Sequence, residues 1–142
     1  MATVFTRIID GEIPGKFIWA DARCVAFLSI EPLRPGHVLV VPREEIDQWV
    51  DLPEDLATHL LQVARSIGLA QRDAFDPARI GLMVQGYEIP HAHVHVWPSA
   101  SPADFDLSSA DPNASQEEFE DAAARLRAAL RSAGYEDRVP HT

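Results

Sequence analysis

The stretch His91-Ala92-His93-Val94-His95-Val96-Trp97 decides how this chain is read. Side chains on a strand alternate between two faces. Strand geometry therefore predicts that His91, His93 and His95 leave one face together, with neighbours about 6.6–6.8 Å apart. Ala92, Val94 and Val96 then point the other way, toward a core. An ordinary half-buried strand carries Thr, Ser, Lys or Glu on its polar side. Three imidazoles offer groups that titrate near neutrality, so one can attack while another supplies a proton. Two other readings stand beside this one. His-x-His can place two ligands on a zinc or iron ion, although no flanking carboxylate or cysteine makes an obvious ligand set. Buried histidines can also be structural only.

Working outward, Tyr87-Glu88-Ile89-Pro90 is a short connection, and residues 79–85 read as the preceding strand. Pro53 to Phe75 reads as the main helix. Leu56, Leu60, Val63, Ile67, Ala70 and Ala74 recur at steps of three and four, which is one apolar helical stripe. Pro53, Glu54 and Asp55 suit its first turn. His59 lies off that stripe and is expected at the surface. Further upstream, His37 to Pro42 reads as a β-branched strand closed by proline, preceded by the Pro/Gly loop 31–36. Phe17 to Ala20 and Arg23 to Ile30 read as two strands around Asp21-Ala22, and residues 5–9 as a short apolar segment ended by Asp10-Gly11. Downstream, residues 98–114 read as a loop. A last helix opens on Ser115 with Glu118 three residues later, a capping-box pattern, and stops at Gly134. This order predicts an α+β fold with a mostly antiparallel sheet. It predicts one domain over residues 1–142, with a core over about residues 3–98 and an added loop and helix over 99–142.

The chain has 142 residues, 46% of them hydrophobic and 24% charged, which is ordinary globular composition with room for a core. Cys24 is the lone cysteine, so no internal disulfide or multi-cysteine zinc site can form, and it reads as a small buried hydrophobe. The formal net charge is −10, which argues against nucleic acid and anionic membranes as partners. It leaves room for a small phosphorylated ligand held by a few local donors. No apolar run is long enough to span a bilayer. Residues 1–7 lack the basic and apolar regions of a signal peptide, so a cytoplasmic location is expected.

The histidine stretch resembles the His-φ-His-φ-His-φ-φ signature of the histidine triad (HIT) superfamily, which includes Hint- and Fhit-like proteins. Gly11-Glu12-Ile13-Pro14, Val25-Ala26-Phe27-Leu28 and Pro35-Gly36-His37-Val38-Leu39-Val40-Val41-Pro42 resemble that family's N-terminal blocks in the same order. The resemblance implies an antiparallel sheet of about five strands with helices, commonly as a homodimer. It implies hydrolysis or transfer at the α-phosphate of a purine nucleotide conjugate through a nucleotidyl-histidine intermediate, with no cofactor and no catalytic metal. His93 would be the nucleophile. His95 would contact the phosphate and help protonate the leaving group, and His91 would pair with His37 to support the site. Phe27, Ser29 and Gln85 fall at nucleotide-binding positions. The competing functions are a nucleotide-binding or interaction protein with little turnover, and a metal enzyme using the triad as ligands.

The chain departs from the family pattern at three places. Many bacterial relatives carry Cys-x-x-Cys near the N-terminus and a histidine after Pro-Lys, which bind structural zinc. Thr3, Thr6 and Glu45 stand there instead, so no zinc is expected. Ser29 stands where the family often has Asp or Asn on the ribose hydroxyls. The segment 85–90 is about five residues shorter than usual and brings Tyr87 and Glu88 toward the phosphate. Loop residues Asp104, Asp106 and Asp111 are expected to repel long polyphosphates, favouring mononucleotide conjugates.

Overall fold

The computed structural model describes residues 2–141. Five strands, β1 (Phe17–Ala20), β2 (Cys24–Leu28), β3 (Val38–Pro42), β4 (Arg79–Met83) and β5 (Val94–Ser99), form one sheet in the order β1-β2-β3-β5-β4. Every neighbouring pair is antiparallel. Three helices complete the fold: α1 (Val4–Ile9), α2 (Glu54–Phe75) and α3 (Gln116–Ser132). The α+β architecture with a five-stranded antiparallel sheet is the one the sequence predicts. No helix among the described residues is long and apolar enough to cross a membrane.

The sheet is buried on both faces, and period-two alternation sorts its residues between them. Cys24, Ala26 and Leu28 of β2, Val38 and Val40 of β3, and Val96 of β5 form one core with α2 and α3. The stripe Leu56, Leu60, Val63, Ile67 and Ala70 of α2 is buried in it, as are Ala122, Ala123, Leu126 and Leu130 of α3. Each fully buried Leu, Ile or Val contributes about 1.5–3 kcal/mol. On the other face Val25, Phe27, Leu39 and Val41 meet Phe5 of α1. A six-residue helix is far too short to stand alone. Phe5 and the Thr3 cap, whose Oγ1 accepts the Thr6 N–H at 3.1 Å, hold α1 in place.

Three elements differ from expectation. Residues 5–9 are helical. The histidine-bearing strand starts at Val94 rather than His91, because a tight turn (His91 N–H to the Ile89 carbonyl, 2.8 Å) and the bond from Ala92 N–H to the Ile46 carbonyl (2.7 Å) divert the chain. Pairing with β3 begins only at Val40↔Val94. Loop 98–114 is more ordered than expected, containing the end of β5 and two 3₁₀ turns, Pro102–Phe105 and Leu107–Ser109. The last helix is capped as expected on one side, Ser115 Oγ accepting the Glu118 N–H at 3.1 Å. Gly134 follows its end with φ +99°.

Candidate active site

The site begins at the turn before β3. Gly36 has φ +92°, and a Cβ there would come within 2.6 Å of the Phe75 ring, so both backbone and space demand glycine. Buried Gln71 of α2 donates its Nε2 hydrogens to the Gly36 carbonyl (2.8 Å) and the Val96 carbonyl (2.9 Å). It thereby ties the approach to His37 to the strand that carries His95. The Leu33 N–H donates to His37 Nδ1 at 3.0 Å. The proton of a neutral His37 is then on Nε2, which donates to His95 Nδ1 at 3.0 Å. His95 in turn carries its proton on Nε2. This tautomer assignment follows from the hydrogen-bond order. Burial, then the neighbouring His95 and His93, push His37 down to about 3. Burial, then His93, push His95 down to about 4. Both rings are neutral near pH 7.

His93 is ordered by a separate bond. Its Nδ1–H donates to the His91 carbonyl at 2.8 Å, leaving Nε2 with a free lone pair. The ring lies between Phe5, centroid to centroid 4.8 Å, and His95 at 4.9 Å. Burial lowers the His93 pKa, against the upward pull of the His91 carbonyl and of the Glu88 carboxylate. His93 and His95 are each only 7% exposed, and both line one small pocket. Among the described residues neither Nε2 has a hydrogen-bond partner. The pocket is therefore offered one lone pair and one N–H donor, side by side.

His91 does something different. It is fully buried, with Nε2–H donating to the Pro42 carbonyl and Nδ1 accepting from Thr3 Oγ1, each at 2.7 Å. The expected pairing of His91 with His37 is incorrect: His37 meets His95, and His91 lies on the α1 side. The diverted backbone before Val94 turns the His91 ring toward Thr3. Thr3 N–H donates to Glu45 Oε1 at 2.7 Å, so Thr3, Thr6 and Glu45 do gather beside His91. That donor set does not fit zinc. Two of its members are threonine hydroxyls, which are not zinc ligands, and both His91 nitrogens are already bonded.

The remaining predicted residues are brought close. Ser29 and Gln85 line the pocket with His37, His93 and His95. Phe27 lines an adjoining groove of about 880 Å³ that also reaches His93 and His95. Ser29 Oγ accepts the Glu31 N–H at 3.3 Å, which engages part of its hydroxyl. Residues that sequence reasoning did not assign to the site are Phe5, Leu39, Glu31, Ile89 and Leu107. Phe5 had a signal in the apolar spacing of Phe5, Ile8 and Ile9.

None of the three loop aspartates lines the pocket, and Asp104 is not a rim charge at all. Asp104 is buried, its carboxylate bonded to the Ala100 and Ser101 N–H groups and to Arg34 Nε, with Ser101 in a capping box. The Ala100 N–H, outweighing burial and aided by Arg34, holds it below the usual carboxylate range. Asp106 accepts from the Ser108 N–H and hydroxyl, and Asp111 Oδ1 from the Asn113 N–H. The loop reaches the pocket through Leu107 instead.

His59 is likewise not a free surface histidine. Its Nε2 donates to Asp21 Oδ2 at 2.7 Å, and Cys24 Sγ lies 3.6 Å from the same oxygen. Asp21, Cys24 and His59 are the one group of possible metal ligands this close among the described residues. Asp21 also accepts from Trp19 Nε1 and the Arg23 and Cys24 N–H groups, so the carboxylate is saturated without an ion. Burial raises its pKa, but these bonds outweigh that and hold it well below the carboxylate range. Burial, reinforced by Asp21, raises the Cys24 thiol far above its usual value, so it stays protonated.

Fold and pocket together define a small α+β protein with an imidazole-lined cleft on one face of its sheet. The chain belongs to the HIT family, whose HIT domain matches residues 10–101. An uncharacterized HIT-like protein of Methanocaldococcus jannaschii is 34% identical over 99 residues, covering 67% of this chain and 77% of that protein. Protein hit of Bacillus subtilis is 30% identical over 100 residues, covering 67% of this chain and 69% of that one. A hypothetical histidine triad nucleotide-binding protein from Sulfolobus tokodaii superposes with a TM-score of 0.81 at 26% identity, covering 91% of this chain and 92% of that one. A Zn-bound histidine triad family protein from Mycobacterium smegmatis gives a TM-score of 0.80 at 25% identity, covering 96% of this chain and 98% of that one.

Proposed function

We propose that the chain is a metal-independent nucleotide hydrolase or transferase, acting at the α-phosphate of a nucleotide conjugate through a nucleotidyl-histidine intermediate on His93. HIT family membership supports a nucleotide-binding hydrolase or transferase in general terms. The observation that carries the finer reading is the bare His93 Nε2 lone pair beside the His95 Nε2–H. His93 Nε2 attacks phosphorus from about 3–3.5 Å, and the bond from phosphorus to the leaving atom breaks. The positive charge that appears on the His93 ring lies against the His91 carbonyl, which was already oriented to receive its Nδ1–H. His95 Nε2–H donates a hydrogen bond to the leaving atom, whose proton is completed from solvent. Water then attacks phosphorus, the bond to His93 Nε2 breaks, and the water's surplus proton returns to solvent. An acceptor alcohol or amine in place of water gives transfer.

The same order argues against the triad as a metal ligand set, since His95 Nε2 carries a proton and both His91 nitrogens are bonded. The groove beside the pocket, walled by Phe5, Phe27 and Leu39, has the volume and apolar character for a purine nucleoside. A homodimer belongs to this reading, supported by the edge position of β4 and its exposed Leu82. The test is turnover of a nucleoside phosphoramidate and of a dinucleoside polyphosphate by wild type and His93→Ala, with and without chelator. Wild-type turnover insensitive to chelator and lowered at least about 10³-fold in the variant is the expected result. Retained activity in His93→Ala, or loss in chelator, would refute it.

A further inference from the structure

The catalytic pocket is electrically unusual for an enzyme of phosphates. Its histidines are neutral, and its walls carry two carboxylates, Glu31 and Glu88, but no lysine or arginine. Both carboxylates are exposed and without an ion-pair partner among the described residues. Glu88 is close enough to His93 to act on its ring. The same pocket holds the two unpartnered Nε2 atoms of His93 and His95, histidines more than nine-tenths buried. The cations Lys16 and Arg127 line the larger groove and not this pocket, and Arg34, in the loop before His37, is turned to Asp104. Lys16 is 3.9 Å from Glu120, and Arg127 Nε donates to the Phe17 carbonyl.

A phosphodiester or phosphoramidate brings one negative charge into this pocket, and a polyphosphate brings several. Glu31 and Glu88 line both the pocket and the adjoining groove, so with the nucleoside in the apolar groove they stand at the junction where the leaving group departs. We propose, resting on the function above, that Glu31 and Glu88 are specificity-determining residues that select nucleotide conjugates whose leaving group bears a positive charge. A cationic leaving group neutralises the carboxylates while the phosphate sits at the histidines. An anionic one meets like charge, which both slows encounter and weakens binding. The discrimination against polyphosphates then comes from these two glutamates rather than from loop 98–114.

Three adenosine phosphoramidates of equal length test this, their leaving amines ending in an ammonium, a hydroxyl or a carboxylate. At low salt kcat/KM is expected to fall in that order, with about tenfold or more between the ends. The range should shrink to about twofold in Glu31→Gln/Glu88→Gln and at high salt, and the order should survive in Glu31→Asp/Glu88→Asp. A merely structural role for the two exposed glutamates would move all three substrates together. Equal kcat/KM in wild type, or an unchanged range in the glutamine variant, would overturn the proposal. Failure of wild type to turn over any of the three would refute the hydrolase reading instead. Calorimetric affinities for the same compounds would then decide the charge preference by the same order.

Discussion

The Asp21 cluster and the triad pocket both contain histidine, and they are built to opposite specifications. Around Asp21 the carboxylate is fully answered: Trp19, Arg23, Cys24 and His59 converge on it across the β1–β2 turn and α2. At the triad, hydrogen bonds fix His93 and His95 from behind and leave the Nε2 of each bare, with His37, bonded at both nitrogens, serving as the support of His95. A satisfied cluster adds stability and specificity of fold. An unsatisfied one, held rigid by satisfied neighbours, is a reagent. His91 belongs with the first kind although it sits in the triad motif, because Thr3 and Pro42 occupy both of its nitrogens. Presence in a motif therefore does not sort these histidines; the free nitrogen does.

Exchanging the reagent side is expected to have the largest effect. His95→Ala should lower turnover by about 10²-fold with a poor leaving group and by much less with a good one, read across substrates of graded leaving-group pKa. An equal loss for all would assign His95 to another task. The satisfied side should respond in stability alone. Asp21→Asn leaves buried donors facing an amide and is expected to destabilise by about 1–3 kcal/mol in chemical denaturation with kcat/KM unchanged.

Acid separates the clusters again. His37 and His95 fall from an ordinary 6.5 to about 3 and about 4 in the folded chain, so between those values and 6.5 the unfolded chain binds more protons. Their contribution to stability is complete above 6.5 and is lost as pH falls toward 3, on the order of a few kcal/mol. His93, also lowered, keeps its lone pair below 6.5. The acid limb of kcat/KM is thus expected below pH 6.5, and an inflection at or above that value would contradict neutral rings. The smallest effect is expected at Thr3. Thr3→Val removes the donor to His91 Nδ1 and should lower kcat several-fold with little change in KM, while Thr3→Ser restores it. The His91 Nδ1 resonance read by nitrogen NMR should shift in the valine variant only, the Nε2–H staying on the Pro42 carbonyl.

Periodicity made α2, α3 and all five strands legible, with β5 misplaced at its start, because an apolar stripe is a local property of the chain. Pro35-Gly36-His37 was legible too, since the motif pairs a left-handed glycine with the histidine that follows it. The partners of the polar groups were not. His37 and His95 are 58 residues apart, His91 and Thr3 are 88 apart, and His59 and Asp21 are 38 apart. Which nitrogen meets which oxygen depends on register and on how one loop docks on another, as at Ala92 and Ile46. Asp104 was misread as a rim charge although Ser101 and Asp104 have capping-box spacing, a signal that was local and available.

The most direct measurement is mass spectrometry of wild-type protein quenched during turnover of an adenosine phosphoramidate, followed by peptide mapping under conditions that preserve phosphohistidine. An adenylyl group on His93, absent when His93 is alanine, is the expected result. An adduct on another histidine, or one that persists in His93→Ala, would contradict the assignment of its Nε2 as the nucleophile.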